Sequence, residues 1–176
     1  NVYGSFAPRP DGTANADKVT GGSSGVGVEG NGWDIVITHN GLLDGLNIFA
    51  GIGTIDQNST WGDKDSEAYG ATYAIGGATV GYQHTTQDNV GAAGTYYDTD
   101  AYAISYSVND DLAISYGITE SSTNSSGTAD VEAQSFQISY SVGGAAVVFA
   151  ESDVDNQNYV SGTNRSGRTV AVTLAF

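Results

Sequence analysis

The residues able to do chemistry are few, and their spacing narrows what they can do. Asp63-Lys64-Asp65-Ser66-Glu67 and Asp153-Val154-Asp155-Asn156-Gln157 set carboxylates one residue apart. Asp63, Asp65, Glu67, Asp153 and Asp155 could therefore take a divalent cation through oxygen ligands. Neither stretch has the length, the Gly or the terminal Glu of a calcium loop, and solvated acidic loops are the plainer interpretation. His39 and His84 fall in different segments, each at the end of an apolar-alternating run. An imidazole becomes a metal ligand only by converging with carboxylates, so each reads as an interfacial, aromatic-like residue. Serines abound, yet none sits in a nucleophile elbow or beside an identifiable His and acid. The Gly runs lack the Lys-Ser/Thr ending of a phosphate loop. Cys is absent, which excludes a disulfide framework, a Cys-based zinc site and a thiol nucleophile. These residues predict a protein that is not an enzyme and needs no cofactor, with divalent cations at the acidic loops the one ligand to test.

The charge balance points the same way. Five Lys and Arg stand against 20 Asp and Glu in 176 residues, for a formal charge of −15. Five scattered cations cannot build the basic surface that nucleic acid requires. No apolar run approaches the roughly 20 residues of a membrane helix, but a β-barrel span is signalled by alternation instead. The length suits a single domain over 1–176, or one large piece of a bigger barrel. Without an initiator Met or signal peptide, the chain reads as a mature product or a fragment.

The elements that must carry these residues are strands. Tyr102, Ile104, Tyr106 and Val108 alternate with Ala101, Ala103, Ser105 and Ser107. Leu112, Ile114, Tyr116 and Ile118 do the same against Ala113, Ser115, Gly117 and Thr119, as do Phe136, Ile138, Tyr140 and Val142 against Ser135, Gln137, Ser139 and Ser141. Val170, Val172, Leu174 and Phe176 close the chain in the same style. Period 2 puts each set on one face, one bulky and apolar, the other small and polar. Weaker alternation marks Trp33–Asn40, with an extension back through Gly25–Gly30, then Leu46–Ile55, Glu67–Ile75, Ala78–Gln87 and Ala145–Ser152. That makes about nine strands, with a tenth at Asn1–Ala7.

Short and long connections alternate. Gly41–Gly45, Gly76-Gly77, Asn109–Asp111 and Gly143-Gly144 have hairpin-turn chemistry. Asp56–Ser66, Asp88–Asp98, Ser121–Asp130 and Asp153–Ser166 are longer and rich in Asp, Asn, Ser, Thr and Gly. The short turns recur about every 33 residues, a length at which solenoids also repeat, but each unit here is two strands without a helix. Tight turns at one end and long loops at the other describe an outer-membrane barrel. Only 14% of residues are charged, and the charge concentrates in the long loops, whereas soluble strands carry Lys and Glu along their faces. An outward face for lipid and an inward face for water fits that distribution, with Tyr106 and Tyr140 at an interfacial girdle.

The C-terminal stretch Gly167–Phe176 resembles the terminal strand of Gram-negative outer-membrane proteins. In that family an aromatic last residue preceded by alternating apolar residues is the signal read by the barrel-assembly machinery. Val170, Val172, Leu174 and Phe176 match it. The Gly-Gly turns, the Tyr-Ser-Val and Tyr-Ala-Ile strand ends and the Asp- and Gly-rich loops over Ser24–Phe176 are similar in style to the alphaproteobacterial general porins. That resemblance implies the C-terminal portion of a sixteen-stranded, homotrimeric barrel in the outer membrane of a Gram-negative bacterium. Its partners would be membrane lipid, lipopolysaccharide and small hydrophilic solutes. The family's inward-folded acidic loop lies toward the N-terminal half, and its facing arginine wall has no counterpart among Arg9, Lys18, Lys64, Arg165 and Arg168.

The expected fold is thus all-β, an antiparallel up-and-down transmembrane barrel, and the expected function is passive diffusion of small hydrophilic solutes and ions through a water-filled channel. Carboxylates around one mouth would favour cations or neutral solutes over anions. Two alternatives stand beside it: a secreted β-sandwich adhesin or binding domain, and a complete small outer-membrane barrel.

Overall fold

The alternating runs fold as strands and the Gly-, Asn- and Asp-bearing segments between them as reversals. The computed structural model describes residues 1–8, 31–56, 62–90 and 92–174. They form β1 (Val2–Ala7), β2 (Gly32–His39), β3 (Leu46–Ile55), β4 (Lys64–Ile75) and β5 (Ala78–Asp88). The second half adds β6 (Tyr96–Ser107), β7 (Leu112–Thr123), β8 (Val131–Val142), β9 (Ala145–Asp155) and β10 (Arg165–Leu174), with a 3-10 turn at Gln157–Tyr159. All ten lie in one sheet in chain order, each antiparallel to the next. The strand at the N-terminus is present as β1, in register with β2 from Val2 opposite Ile37 to Ala7 opposite Gly32. Among the described residues β1 pairs only with β2 and β10 only with β9, so the sheet is open. The Gly25–Gly30 extension, Arg9, Lys18 and Phe176 lie outside the described residues.

Turn chemistry fixes one rim. Gly143 and Gly144 hold φ of 55° and 85°, the two left-handed positions a tight hairpin demands. At the β6–β7 turn the Asn109 side chain does the equivalent work, its Oδ1 accepting from the backbone N–H of Asp111 and of Leu112 at 2.9 Å each. The longer connections gather on the opposite rim.

The strands extend further into the acidic segments than alternation predicts. β4 begins at Lys64, β6 at Tyr96 and β8 at Val131, while β7 runs to Thr123 and β9 to Asp155. Asp65, Asp153 and Asp155 are therefore strand residues, which corrects their placement in loops, and Glu67 is a strand residue as expected. Ladder hydrogen bonds continue where the apolar pattern stops, because the backbone pairs regardless of side-chain polarity.

Register aligns the two faces across the sheet. Val80, Ile104, Tyr116 and Phe136 form one cross-strand row, and Ala78, Tyr106, Ile114, Ile138, Phe149 and Val170 the next. These rows make a continuous apolar band on one face. The other face carries rows such as Thr85, Thr99 and Ser121. No apolar side chain is buried among the described residues: Ile104 is 47% exposed, Ile37 53% and Val170 66%. The described strands thus have no protein core against which the band packs.

Close approach at one glycine shows how tightly neighbouring strands sit. A Cβ at Gly70 would strike the Tyr82 carbonyl oxygen and come within 2.6 Å of the Phe49 ring. Gly70→Val should therefore destabilise the sheet by about 1–3 kcal/mol. Gly143→Asn, at a turn position whose backbone Asn tolerates, should stay within about 0.5 kcal/mol. Urea titration of both variants under the same conditions checks the difference.

Candidate functional site

Beyond the apolar band, on the same face and toward the long-loop rim, the side chains turn acidic. His84 on β5, Asp100 on β6, Glu120 on β7, Glu132 on β8 and Asp155 on β9 stand directly opposite one another in successive pairs. Like charges placed opposite on adjacent strands repel, and here three consecutive pairs are carboxylate against carboxylate. Asp98, Asp100, Glu120, Asp130, Glu132 and Asp155 line one cleft of about 460 Å³, and no Lys or Arg lines it.

His84 anchors one end of this row. Its Nδ1 lies 3.0 Å from Asp100 Oδ1 and 3.5 Å from Asp98 Oδ1. Tyr82 donates its hydroxyl to Asp100 at 2.7 Å, and Tyr96 donates to Asp98 at 3.0 Å. The Tyr69 ring lies over the imidazole with centroids 4.9 Å apart, and Tyr82 and Tyr102 pair at 5.1 Å. A tyrosine cluster thus marks the boundary between apolar band and acidic row. The three ligand atoms of His84, Asp98 and Asp100 fall within 4.8 Å of one another, close enough to hold a divalent cation. With an N–H at Nδ1, the imidazole itself donates to the nearer carboxylate.

The residues singled out in the sequence are distributed differently. Asp65 and Glu67 share the bulky face of β4, and Asp65 accepts a hydrogen bond from Thr54 Oγ1 at 2.7 Å. Asp63 precedes that strand, and its carbonyl accepts from Asn89 Nδ2 at 2.7 Å. Asp153 and Asp155 share the bulky face of β9, five strands away in the sheet order. The two acidic stretches therefore do not converge. His39 ends β2 opposite Ile48, apart from His84. Val170, Val172 and Leu174 lie on the bulky face of β10, opposite Phe149, Val147 and Ala145. Arg168 shares that face and donates from Nε and Nη2 to Glu151 Oε1 at 2.9 and 2.6 Å.

Asp98 and Asp100 were visible in the sequence as acids two residues apart, in parity with Tyr102 and Ile104. Their meeting with His84 depends on the β5–β6 register, which a loop of that length does not dictate.

Neither a protein-family model nor a curated protein matches the chain.

Glu132 sits between Glu120 and Asp155, so Glu132→Gln removes repulsion on both sides. The substitution should stabilise the sheet by about 0.2–1 kcal/mol at low ionic strength. The gain should shrink as added salt shortens the screening length. Unfolding midpoints of variant and parent at two salt concentrations check both statements.

Proposed function

We propose that the chain forms wall of an outer-membrane β-barrel, a porin through which small hydrophilic solutes and ions diffuse passively. The observation that carries this is the exposed apolar band across hydrogen-bonded strands with no protein layer upon it. Lipid is the phase that such a band suits, and the ladder pairs the backbone groups that hydrocarbon cannot solvate. Strands β3 to β10 have 10 to 12 residues, the length that crosses a bilayer core when tilted. The opposite face, with Ala, Ser, Thr, Gly and Gln, suits a water-filled lumen.

An open edge is not tolerated in hydrocarbon, so the barrel closes either by β1 meeting β10 or by further strands. The sixteen-stranded, trimeric form takes the second route, and the complete small barrel takes the first. A soluble sandwich needs a second sheet over the apolar band, and the described strands form one sheet.

The expected cation preference needs a different basis from the one the sequence suggests. Asp100, Glu120, Glu132 and Asp155 share the bulky face, so in a barrel they stand outside the channel, in the headgroup zone beyond the hydrocarbon. Lumen selectivity would then depend on residues other than this row.

Purified protein refolded in detergent and added to planar bilayers should give stepwise conductance. Solubility as a monodisperse species without detergent, and no conductance, would contradict the proposal. The facing carries its own test. Ile114→Arg in the apolar band should cost about 2–4 kcal/mol on folding into bilayers, whereas Ser115→Arg on the opposite face should cost little. Equal tolerance at the two positions would contradict a lipid-facing band.

A further inference from the structure

The small polar face carries one feature that a plain diffusion channel does not require. The connection 156–164 between β9 and β10 folds back over this face and sets Tyr159 beside Tyr97, ring centroids 5.3 Å apart. Tyr159 has φ of 61°, and Asn156 and Asn158 have φ of 54° and 58°. A left-handed backbone is unusual for a bulky residue and persists only where its surroundings hold it. The holding contacts are specific. Asn156 Nδ2 donates to the Asp130 carbonyl at 2.8 Å, Asn156 Oδ1 accepts from the Gly162 N–H at 3.0 Å, and the Ala129 N–H donates to the Tyr159 carbonyl at 3.0 Å.

Beside the ring pair is a cavity of about 350 Å³, lined by Thr85, Gln87, Val90, Tyr97, Thr99, Ser121 and Tyr159. In a chain of charge −15, this lining contains no Asp, Glu, Lys or Arg. Thr99 Oγ1 and Ser121 Oγ lie 2.7 Å apart, Ser121 Oγ and Tyr159 OH 2.8 Å, and Ser121 Oγ reaches the Asp98 carbonyl at 3.3 Å. One assignment satisfies all three contacts: Ser121 donates to the carbonyl and accepts from Thr99 and Tyr159. The lone pairs of Thr99 and Tyr159 are then left to accept from a ligand. Thr85 and Gln87 make no side-chain hydrogen bond among the described residues, and Gln87 offers both a donor and an acceptor.

We propose that this cavity is a binding subsite for a neutral, ring-shaped polyhydroxylated solute, a monosaccharide unit. The inference deepens the channel reading, because the cavity lies on the face that would line the lumen. The chemistry is complementary on both counts. Aromatic faces are electron-rich and receive the C–H-bearing side of a sugar ring, while hydroxyls and an amide match its vicinal hydroxyl groups. The volume accommodates one sugar ring with its water, at the small end of ligand pockets. The absence of formal charge in the lining selects against charged solutes, whose desolvation it could not compensate.

The test is saturation-transfer NMR and calorimetric titration of the refolded, detergent-solubilised protein with glucose, with glucuronate as a charged ring of similar shape. Saturable glucose binding is expected, with glucuronate weaker. Tyr159→Ala should weaken glucose binding at least about fivefold, in line with loss of an aromatic anchor. Thr99→Val should weaken it as well, with the circular dichroism unchanged. Should Tyr159→Ala not fold, Thr85→Val and Gln87→Leu remove groups that hold nothing else and must lower the affinity. No saturable glucose binding, or binding indifferent to these substitutions, would overturn the subsite. Conductance without glucose binding would overturn it alone. Glucose binding without conductance would keep the subsite and remove the channel.

Discussion

The antiparallel ladder running unbroken from β1 to β10 is the constraint on which everything else depends, because one register sets the facing of every side chain. Strand side chains alternate with a period of two, so a slip of one residue would send Tyr102, Ile104 and Tyr106 to the opposite face. The observed register instead sets Tyr102 opposite Ile118, Ile104 opposite Tyr116 and Tyr106 opposite Ile114. Repeated over neighbouring pairs, this turns short runs of alternation into a continuous band. The band is then a physical problem rather than a pattern: large apolar side chains stand well exposed, from Ile114 (36%) through Tyr102 (48%) to Val170 (66%), with no core to receive them. Something other than the described strands must cover it.

Along the strands, polarity is graded as well as alternating. On the bulky face of β6 the order from one end is Tyr96, Asp98, Asp100, Tyr102, Ile104 and Tyr106, so a single strand passes from acid to aromatic to apolar. The passage from acid to apolar recurs on β7 and β8, where Glu120 and Glu132 lie on the long-loop side of the apolar positions. A strand that crosses from an aqueous, charged zone into hydrocarbon would show this gradient, whereas a sandwich strand has no reason to change polarity along its inward face. The acidic row is the costly part of the arrangement, since three consecutive cross-strand pairs set carboxylate against carboxylate.

Much of this was legible in the residues. Leu112, Ile114, Tyr116 and Ile118 announce β7, and Gly143-Gly144 and Asn109–Asp111 announce their turns, because local turn chemistry and period-2 alternation are local properties. Strand ends were less legible. Asp65, Asp98, Asp153 and Asp155 interrupt the apolar alternation, and charge in a Gly- and Ser-rich setting reads as loop although the ladder continues through it. The convergence of His84 with Asp98 and Asp100 requires a cross-strand register that hairpin loops of intermediate length leave open. Tyr159 was invisible for a further reason: its position depends on left-handed residues at 156, 158 and 159 and on the bond from Asn156 Nδ2 to the Asp130 carbonyl beside the neighbouring strand. The described strands leave the sheet open at β1 and β10, two edges so far apart in the chain that local patterns do not pair them.

The claim on which the account turns is that the bulky face meets lipid and the small face meets water. The Cys-free chain makes this directly measurable, since a single introduced cysteine carries the only label. Ile104→Cys, Ser105→Cys and Tyr106→Cys, labelled with an environment-sensitive fluorophore and refolded into vesicles, can be challenged with a lipid-bound quencher and a water-soluble one. The account predicts that labels at 104 and 106 are quenched from the lipid phase and that the label at 105 is quenched from water. Water-phase quenching at all three positions, or alternation of the opposite sense, would contradict it.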